Sequence, residues 1–274
     1  MLGAIIGDTA GSVYEFNNIK TIDFPLFSSQ SDYTDDSTMT MAVAEWLLKD
    51  PTHGMDTLEA SFLSFAKKYP CPMGGYGGMF FRWLFRRDGK REPYNSWGNG
   101  SAMRASATGW MFDTLEETER VAGLSAAITH NHPEGIKGAQ STTAAIFMAR
   151  NGSSKEEIRS YIAEKYGYNL NRTCDEIRPV YGWDGSCQGT VPEAMAAFFD
   201  STDFESSIRL AVSLGGDSDT LACITGGIAE AFYNDIPDNI ALEIWKLIPD
   251  DFKAILKEME TRTPYRLPNV LHRQ

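Results

Sequence analysis

The sequence lacks a hydrophobic run long enough to cross a bilayer, and its first segment, Met1–Asp8, has no basic residue before its apolar ones. A membrane-spanning helix needs about 20 apolar residues, and a signal peptide begins with a basic region. We therefore expect neither feature. The four cysteines form no CxxC pair, which predicts reduced thiols rather than a disulfide framework and favours a cytoplasmic location.

Positive charge is also scarce. Lys and Arg total 25 against 37 Asp and Glu, which gives a formal net charge of -12. This balance opposes direct nucleic-acid binding and attachment to anionic membranes. A phosphate-bearing ligand would need local compensation for its charge, and bound divalent cations are one way to supply it.

Alternating strand patterns are almost absent, because apolar residues recur at spacings of three and four. Met39, Ala42, Val43, Trp46 and Leu47 form one such stripe. The pattern predicts helices over 3–14, 39–48, 58 to about 70, 80–85, 101–110, 117–129, 133–150, 155–166, 192–200, 204–214, 219–233, 238–248 and 250–260, with a long loop over 167–189. No repeat or low-complexity linker divides the chain. We predict one all-α domain over residues 1–274.

Two acidic clusters, Tyr33–Ser37 and Gly215–Thr220, each lead into an apolar helix. Their Asp, Ser and Thr side chains could simply cap those helices. Capping needs one side chain per helix, however, whereas each cluster offers three oxygen donors. If the clusters converge, their carboxylates repel one another unless cations neutralise them. Oxygen donors without His or Cys select Mg²⁺, Mn²⁺ or Ca²⁺ rather than Zn²⁺. The residues alone leave convergence open.

Five short motifs in this order resemble those of the ADP-ribosylglycohydrolase family. They are Gly3–Asp8 with Glu15, Tyr33–Ser37, Gly98–Arg104, Ile128–His130 and Gly215–Thr220. Each is weak alone, whereas their common order is specific. The resemblance implies an all-α fold with two Mg²⁺ (or Mn²⁺) ions at the floor of an ADP-ribose cleft. One departure is Ser37, where the family commonly has threonine; serine keeps the hydroxyl.

The resemblance also implies the ligands of the two metal ions. One ion would be held by Thr34, Asp35, Asp36 and Asp219, and the other by Asp217, Asp219 and Thr220. Glu15, Asp35 and Asp36 are the candidates for the catalytic base. The alternative for Glu15 is a surface glutamate at the end of a helix.

A polar loop resembles the family's phosphate- and ribose-binding loop, and Trp97 within it could stack on a ligand. The loop consists of Asn95, Ser96, Trp97, Gly98, Asn99, Gly100 and Ser101. His130 and His132, near a predicted helix start, are either ligand contacts or structural hydrogen-bonding groups. Tyr181 and Trp183 either stack on adenine or pack against their own loop.

The function expected from this resemblance is metal-dependent hydrolysis of the glycosidic bond between ADP-ribose and an acceptor, foremost arginine on a protein. The partners would be an ADP-ribosylated protein or small molecule and the product ADP-ribose. One alternative is an inactive ADP-ribose-binding or structural member of the family. Others are a hydrolase of serine-linked or small-molecule substrates, and a phosphohydrolase that cuts the diphosphate.

Overall fold

Fifteen α-helices build the chain, which a computed structural model describes over residues 1–273. The helices are α1 (Leu2–Gly11), α2 (Asp35–Lys49), α3 (Met55–Lys68), α4 (Gly78–Leu84), α5 (Gly100–Met103), α6 (Thr108–Met111), α7 (Leu115–Ala127), α8 (Pro133–Arg150), α9 (Lys155–Tyr166), α10 (Cys174–Ile177), α11 (Cys187–Asp200), α12 (Phe204–Ser213), α13 (Ser218–Tyr233), α14 (Asp238–Leu247) and α15 (Asp250–Arg262). Short 3-10 helices cover Ser12–Tyr14 and Asn269–Arg273. Within this range the structure has two isolated bridges and no sheet. The all-α prediction is confirmed.

The centre of the fold is the crossing of α1 and α13, which pack extensively against each other. Every residue of α1 is buried, as is α13 from Ser218 to Ala231. Glycines permit this close approach. A β-carbon at Gly7 would lie 1.9 Å from the Ala222 carbonyl oxygen, and one at Gly11 would lie 2.4 Å from the Asp219 Cα. Close contact therefore brings the side chains of α1 to the N-terminal end of α13.

Helix α2 packs on both α1 and α13, with its N-terminal end close to Asp8 in the C-terminal half of α1. Thr34 is the N-cap residue, and its Oγ1 accepts a hydrogen bond from the Asp36 amide at 3.1 Å. Such a bond satisfies one of the free amides at a helix start. The first turn of α2 thereby presents its acidic residues to the α1–α13 crossing.

The predicted start of the helix over 192–200 is wrong, because α11 begins at Cys187. Ser186 caps it by accepting a hydrogen bond from the Gly189 amide at 3.1 Å. Pro192 therefore lies inside the helix, where its missing N–H leaves the Gln188 carbonyl without the usual partner. The predicted helix over 101–110 is divided into the short helices α5 and α6.

No helix in the part of the chain that the structure describes is long and apolar enough to span a membrane. All four cysteines are free thiols; Cys71 is exposed and the other three are buried.

Candidate active site

The two acidic clusters meet where α1, α2 and α13 come together. Carboxylate oxygens of Asp8, Asp36 and Asp219 lie within 4.8 Å of one another. Carboxylate oxygens of Glu15, Asp217 and Asp219 form a second group, also within 4.8 Å of one another. Asp219 belongs to both groups. The convergence that the sequence left open is therefore present in the fold.

Burial makes this cluster hard to keep fully ionised. Burial first, and repulsion by neighbouring carboxylates second, raise the pKa values of Asp35, Asp36 and Asp219 well above the ordinary range. Burial, followed by repulsion from Asp217 and Asp8, raises the pKa of Glu15 to about 7. A site of this kind gains stability from any proton or cation that reduces its negative charge.

The donor set fits a hard divalent cation. Asp36 Oδ2 and Asp219 Oδ1 are buried and have no hydrogen-bond partner among residues 1–273. Thr220 adds a hydroxyl beside them at the floor of the same cleft. Carboxylate and hydroxyl oxygens are the ligands that Mg²⁺, Mn²⁺ and Ca²⁺ prefer. Two unpartnered carboxylate oxygens in one buried cluster are open positions for such an ion.

Asp8 lies in the acidic cluster, although the sequence analysis did not select it as a site residue. Its carboxylate accepts hydrogen bonds from the Thr34 amide at 2.9 Å, the Thr34 hydroxyl at 2.7 Å and the Ser37 amide at 3.0 Å. It also accepts a hydrogen bond from the Ser37 hydroxyl. This is the hydroxyl that serine shares with the threonine common at this position in the family. These bonds occupy both oxygens, so Asp8 fixes the first turn of α2. Burial raises the pKa of Asp8 to about 6, against the effect of those hydrogen bonds.

Asn18 connects Glu15 to the loop that carries Asp217. Its Nδ2 donates to the Glu15 carbonyl at 2.9 Å and to the Gly216 carbonyl at 2.9 Å, while its Oδ1 accepts from the Gly216 amide at 2.7 Å. Gly215 and Gly216 have φ angles of 73° and 70°, a left-handed conformation that favours glycine. The loop is therefore held in one conformation beside Glu15.

A cleft of about 400 Å³ opens above the acidic floor. Its lining includes Glu15, Asp35, Asp36, Asp217, Asp219 and Thr220, together with Ser96, Gly98, Asn99, Gly100 and His130 from the predicted substrate-binding set. Asn99 Nδ2 donates to Asp217 Oδ2 at 2.7 Å, which joins the polar loop to the floor. Thr34 lies beneath the lining and is almost fully buried.

The remaining members of the predicted substrate-binding set lie outside this lining; they are Asn95, Trp97, Ser101, His132 and Tyr181. His132 caps α8 through Nδ1 and packs its ring 5.4 Å from that of Trp97. The Tyr181 hydroxyl donates to the Gly189 carbonyl at 3.0 Å, and the Ser101 hydroxyl donates to the Gly135 carbonyl at 2.7 Å. These four side chains have structural contacts, and contact of any of the five residues with a ligand stays a prediction.

Two exposed aromatic residues form part of the rim of the cleft. The rings of Phe16 and Trp183 are nearly parallel, at an interplanar angle of 17°, with centroids 5.9 Å apart. Phe16 follows Glu15 directly, and Trp183 lies in the long loop before α11. The entrance is therefore apolar whereas the floor is acidic.

Comparison with known proteins places the chain among related hydrolases. ADP-ribosylhydrolase ARH3 from Homo sapiens is 26% identical over an alignment that covers 87% of this chain and 86% of that protein. ADP-ribosylarginine hydrolase Tri1 from Pseudomonas putida (strain GB-1) is 24% identical, covering 85% of this chain and 69% of that protein. A solved structure of an ADP-ribosylglycohydrolase-related protein complex has the same fold. Its TM-score is 0.73 at 20% identity, covering 95% of this chain and 96% of that chain.

The ADP-ribosylglycohydrolase family model matches residues 1–264. That match includes the acidic floor, the polar loop and both aromatic residues of the rim. The chain belongs to the ADP-ribosylglycohydrolase family.

Proposed function

We propose that the protein is a metal-dependent hydrolase that cleaves the glycosidic bond between ADP-ribose and an acceptor and releases intact ADP-ribose. The favoured acceptor is arginine on a modified protein, and the proposed location is the cytoplasm. The observation that carries the proposal is that two clusters of carboxylate side chains meet at the floor of one cleft. The names of the related ARH3 and Tri1 proteins support the reaction class.

The chain offers ligands for two Mg²⁺ or Mn²⁺ ions. Thr34, Asp35, Asp36 and Asp219 would hold one ion, and Asp217, Asp219 and Thr220 the other. Such ions, when bound, supply positive charge that can bind ribose hydroxyls and polarise oxygen atoms. Asp8 orients the Thr34 hydroxyl, which donates its proton to Asp8. One lone pair of the Thr34 oxygen then remains for a metal ion, since the other accepts from the Asp36 amide.

Among the three candidate bases, Glu15 suits proton transfer best. Glu15 is half-buried, whereas Asp36, which also lines the cleft, is almost fully buried. Its pKa, raised by burial to about 7, lets the carboxylate accept a proton from an attacking water near neutral pH. Positive charge develops at the anomeric carbon as the glycosidic bond breaks, and the carboxylates of the floor stabilise it.

The cleft also favours a cationic leaving group. Glu15, Asp35 and Asp217 supply negative charge, and the exposed Phe16 ring can contact a guanidinium through its face. Arg104 is the single Arg or Lys in the described lining of the cleft, and it is fully buried. The accessible part of the cleft is therefore suited to an arginine acceptor.

The test is hydrolysis of arginine-linked and serine-linked ADP-ribosyl peptides with Mg²⁺ or Mn²⁺ and with EDTA. We expect metal-dependent release of intact ADP-ribose from the arginine-linked peptide. Asp219→Ala removes a residue shared by both groups and should lower the rate at least about a hundredfold. Asp250→Ala is a matched control, because Asp250 also begins a helix but its side chain is 98% exposed; its rate should equal the wild-type rate.

Product analysis separates the alternatives. AMP and ribose phosphate would show cleavage of the diphosphate and refute the proposal. Preferential cleavage of the serine-linked peptide would overturn the acceptor assignment. Binding of ADP-ribose without hydrolysis of either peptide would identify a binding protein instead.

A further inference from the structure

Arg104 is a fully buried cation without a carboxylate partner in residues 1–273. Its Nη2 donates to the Ser125 carbonyl and to Thr129 Oγ1, each at 2.9 Å, while Nε and Nη1 have no hydrogen-bond partner. The guanidinium lies over the ring of Phe62, 4.8 Å from its centroid, which offsets part of the desolvation. An unpaired buried charge is costly, which points to a role beyond packing.

The Thr129 hydroxyl lies between Arg104 and His130 and contacts both side chains. A threonine hydroxyl has one proton to donate and two lone pairs that accept, whereas arginine can only donate. Thr129 Oγ1 accepts from Arg104 Nη2 and lies 2.7 Å from His130 Nδ1. With one lone pair taken by Arg104, the hydroxyl can still donate its proton to Nδ1. A neutral imidazole that accepts at Nδ1 carries its own proton on Nε2.

The other nitrogen of His130 faces the polar loop of the cleft. A β-carbon at Gly98 would lie 3.5 Å from His130 Nε2, and one at Gly100 would lie 3.3 Å from it. No atom of the described residues forms a hydrogen bond with Nε2. Burial, and then the charge of Arg104, hold the pKa of His130 well below 6.5. The ring is therefore neutral, and its tautomer determines whether Nε2 donates or accepts.

We propose that Arg104 and Thr129 are positioning residues that hold His130 in the Nε2-protonated tautomer, so that Nε2–H donates into the cleft at Gly98–Gly100. The acceptor is an oxygen of ADP-ribose, an identity that rests on the proposed function. The buried arginine acts through Thr129 and does not touch the ligand. This arrangement gives both the buried charge and the buried hydroxyl a role at the cleft.

The tautomer can be read directly from the ¹⁵N NMR signals of the imidazole nitrogens in the full-length protein, with the His130 signals assigned by their loss in His130→Gln. We expect a protonated Nε2 and an unprotonated Nδ1 in the wild type. Thr129→Val keeps the shape of the side chain and removes the hydroxyl. It should give a mixture of tautomers and weaken ADP-ribose binding, measured by calorimetry, in proportion to the lost fraction of the Nε2-protonated form, about twofold at equal populations.

Two variants separate positioning from general destabilisation. Thr129→Ser keeps the hydroxyl and should restore both the wild-type tautomer and the wild-type affinity. Thr118→Val removes a buried hydroxyl within α7, one that donates to the Thr114 carbonyl at 2.9 Å, and should change neither. Thermal unfolding of each variant checks that it is folded.

Protonation of Nδ1 in the wild type would overturn the inference, as would an unchanged tautomer and affinity in folded Thr129→Val. The wild-type spectrum tests the inference even if Thr129→Val does not fold. Failure of the proposed function looks different: the wild type would hydrolyse neither peptide or would not bind ADP-ribose at all, while the spectrum would still decide the tautomer.

Discussion

The carboxylate of Glu15 makes the stability of the fold depend on pH. Glu15 has an ordinary pKa of 4.5, and in the fold burial raises its pKa to about 7. The folded state therefore binds more protons than the unfolded state between these values. The stability that Glu15 contributes is present below about pH 4.5 and is lost as pH rises through about 7.

Glu15→Gln should remove this pH dependence. In EDTA, we expect the free energy of unfolding of the wild type to fall more steeply than that of the variant between about pH 4.5 and 7. Urea unfolding at a series of pH values measures both slopes. Glu116→Gln, at an exposed position of α7, is the control and should follow the wild type. Parallel slopes for the wild type and Glu15→Gln would contradict the linkage.

The four aspartates that the sequence offers as metal ligands all line the cleft, whereas only half of the predicted substrate-binding set does; their role as ligands stays a prediction. Asp35, Asp36, Asp217 and Asp219 could be selected because several oxygen donors in one short segment exceed what helix capping needs. Asp8 was missed because it stands alone in an apolar helix, although an aspartate in such a buried setting is itself a signal. Trp97 was included for its aromatic ring, since a loop sequence does not show which of its side chains face the cleft.

Among the helices, the crossing of α1 and α13 sets the geometry of the floor. Gly7→Ala would place a methyl group against the backbone of α13, 1.9 Å from the Ala222 carbonyl oxygen. The helices would have to separate, and overpacking of this kind costs about 1–3 kcal/mol. We expect a loss of at least about 2 kcal/mol in urea unfolding and weaker binding of Mn²⁺, because Asp8 and Asp219 would move apart.

Gly78→Ala is the matched control for that substitution. Gly78 begins α4, and a β-carbon there would have no neighbour within 4 Å. Its stability should equal or slightly exceed that of the wild type, since alanine restricts the unfolded chain. Equal stability of the Gly7→Ala and Gly78→Ala variants would show that the crossing tolerates a wider separation.

Helices with long apolar stripes were predictable because periodicity is read over several turns. The bounds of α8 and α9, Pro133–Arg150 and Lys155–Tyr166, agree with the prediction. Helices of four residues, such as α5 and α10, are too short to show a period. They depend on contacts made by the whole fold, which local sequence does not encode.

For the molecule as a whole, occupation of the acidic floor should appear as added stability. A ligand that binds only the folded state stabilises it by about 2.7 kcal/mol at a hundred times its Kd. Saturating Mg²⁺ or Mn²⁺ should therefore raise the unfolding temperature of the EDTA-treated wild type and of Asp250→Ala. Asp219→Ala should show little or no rise. Equal shifts in all three proteins would place metal binding elsewhere on the surface.

The packing of α1 on α13 also has a consequence for biosynthesis. The Ser218 hydroxyl donates to the Gly11 carbonyl at 3.1 Å across a separation of 207 residues. During translation, α1 leaves the ribosome long before α13 has been made. Until then the apolar surface of α1 is exposed to solvent or bound by a chaperone. Such distant pairings also fold slowly. The floor of the cleft is therefore assembled late, and a nascent chain that stops before α13 carries only part of it.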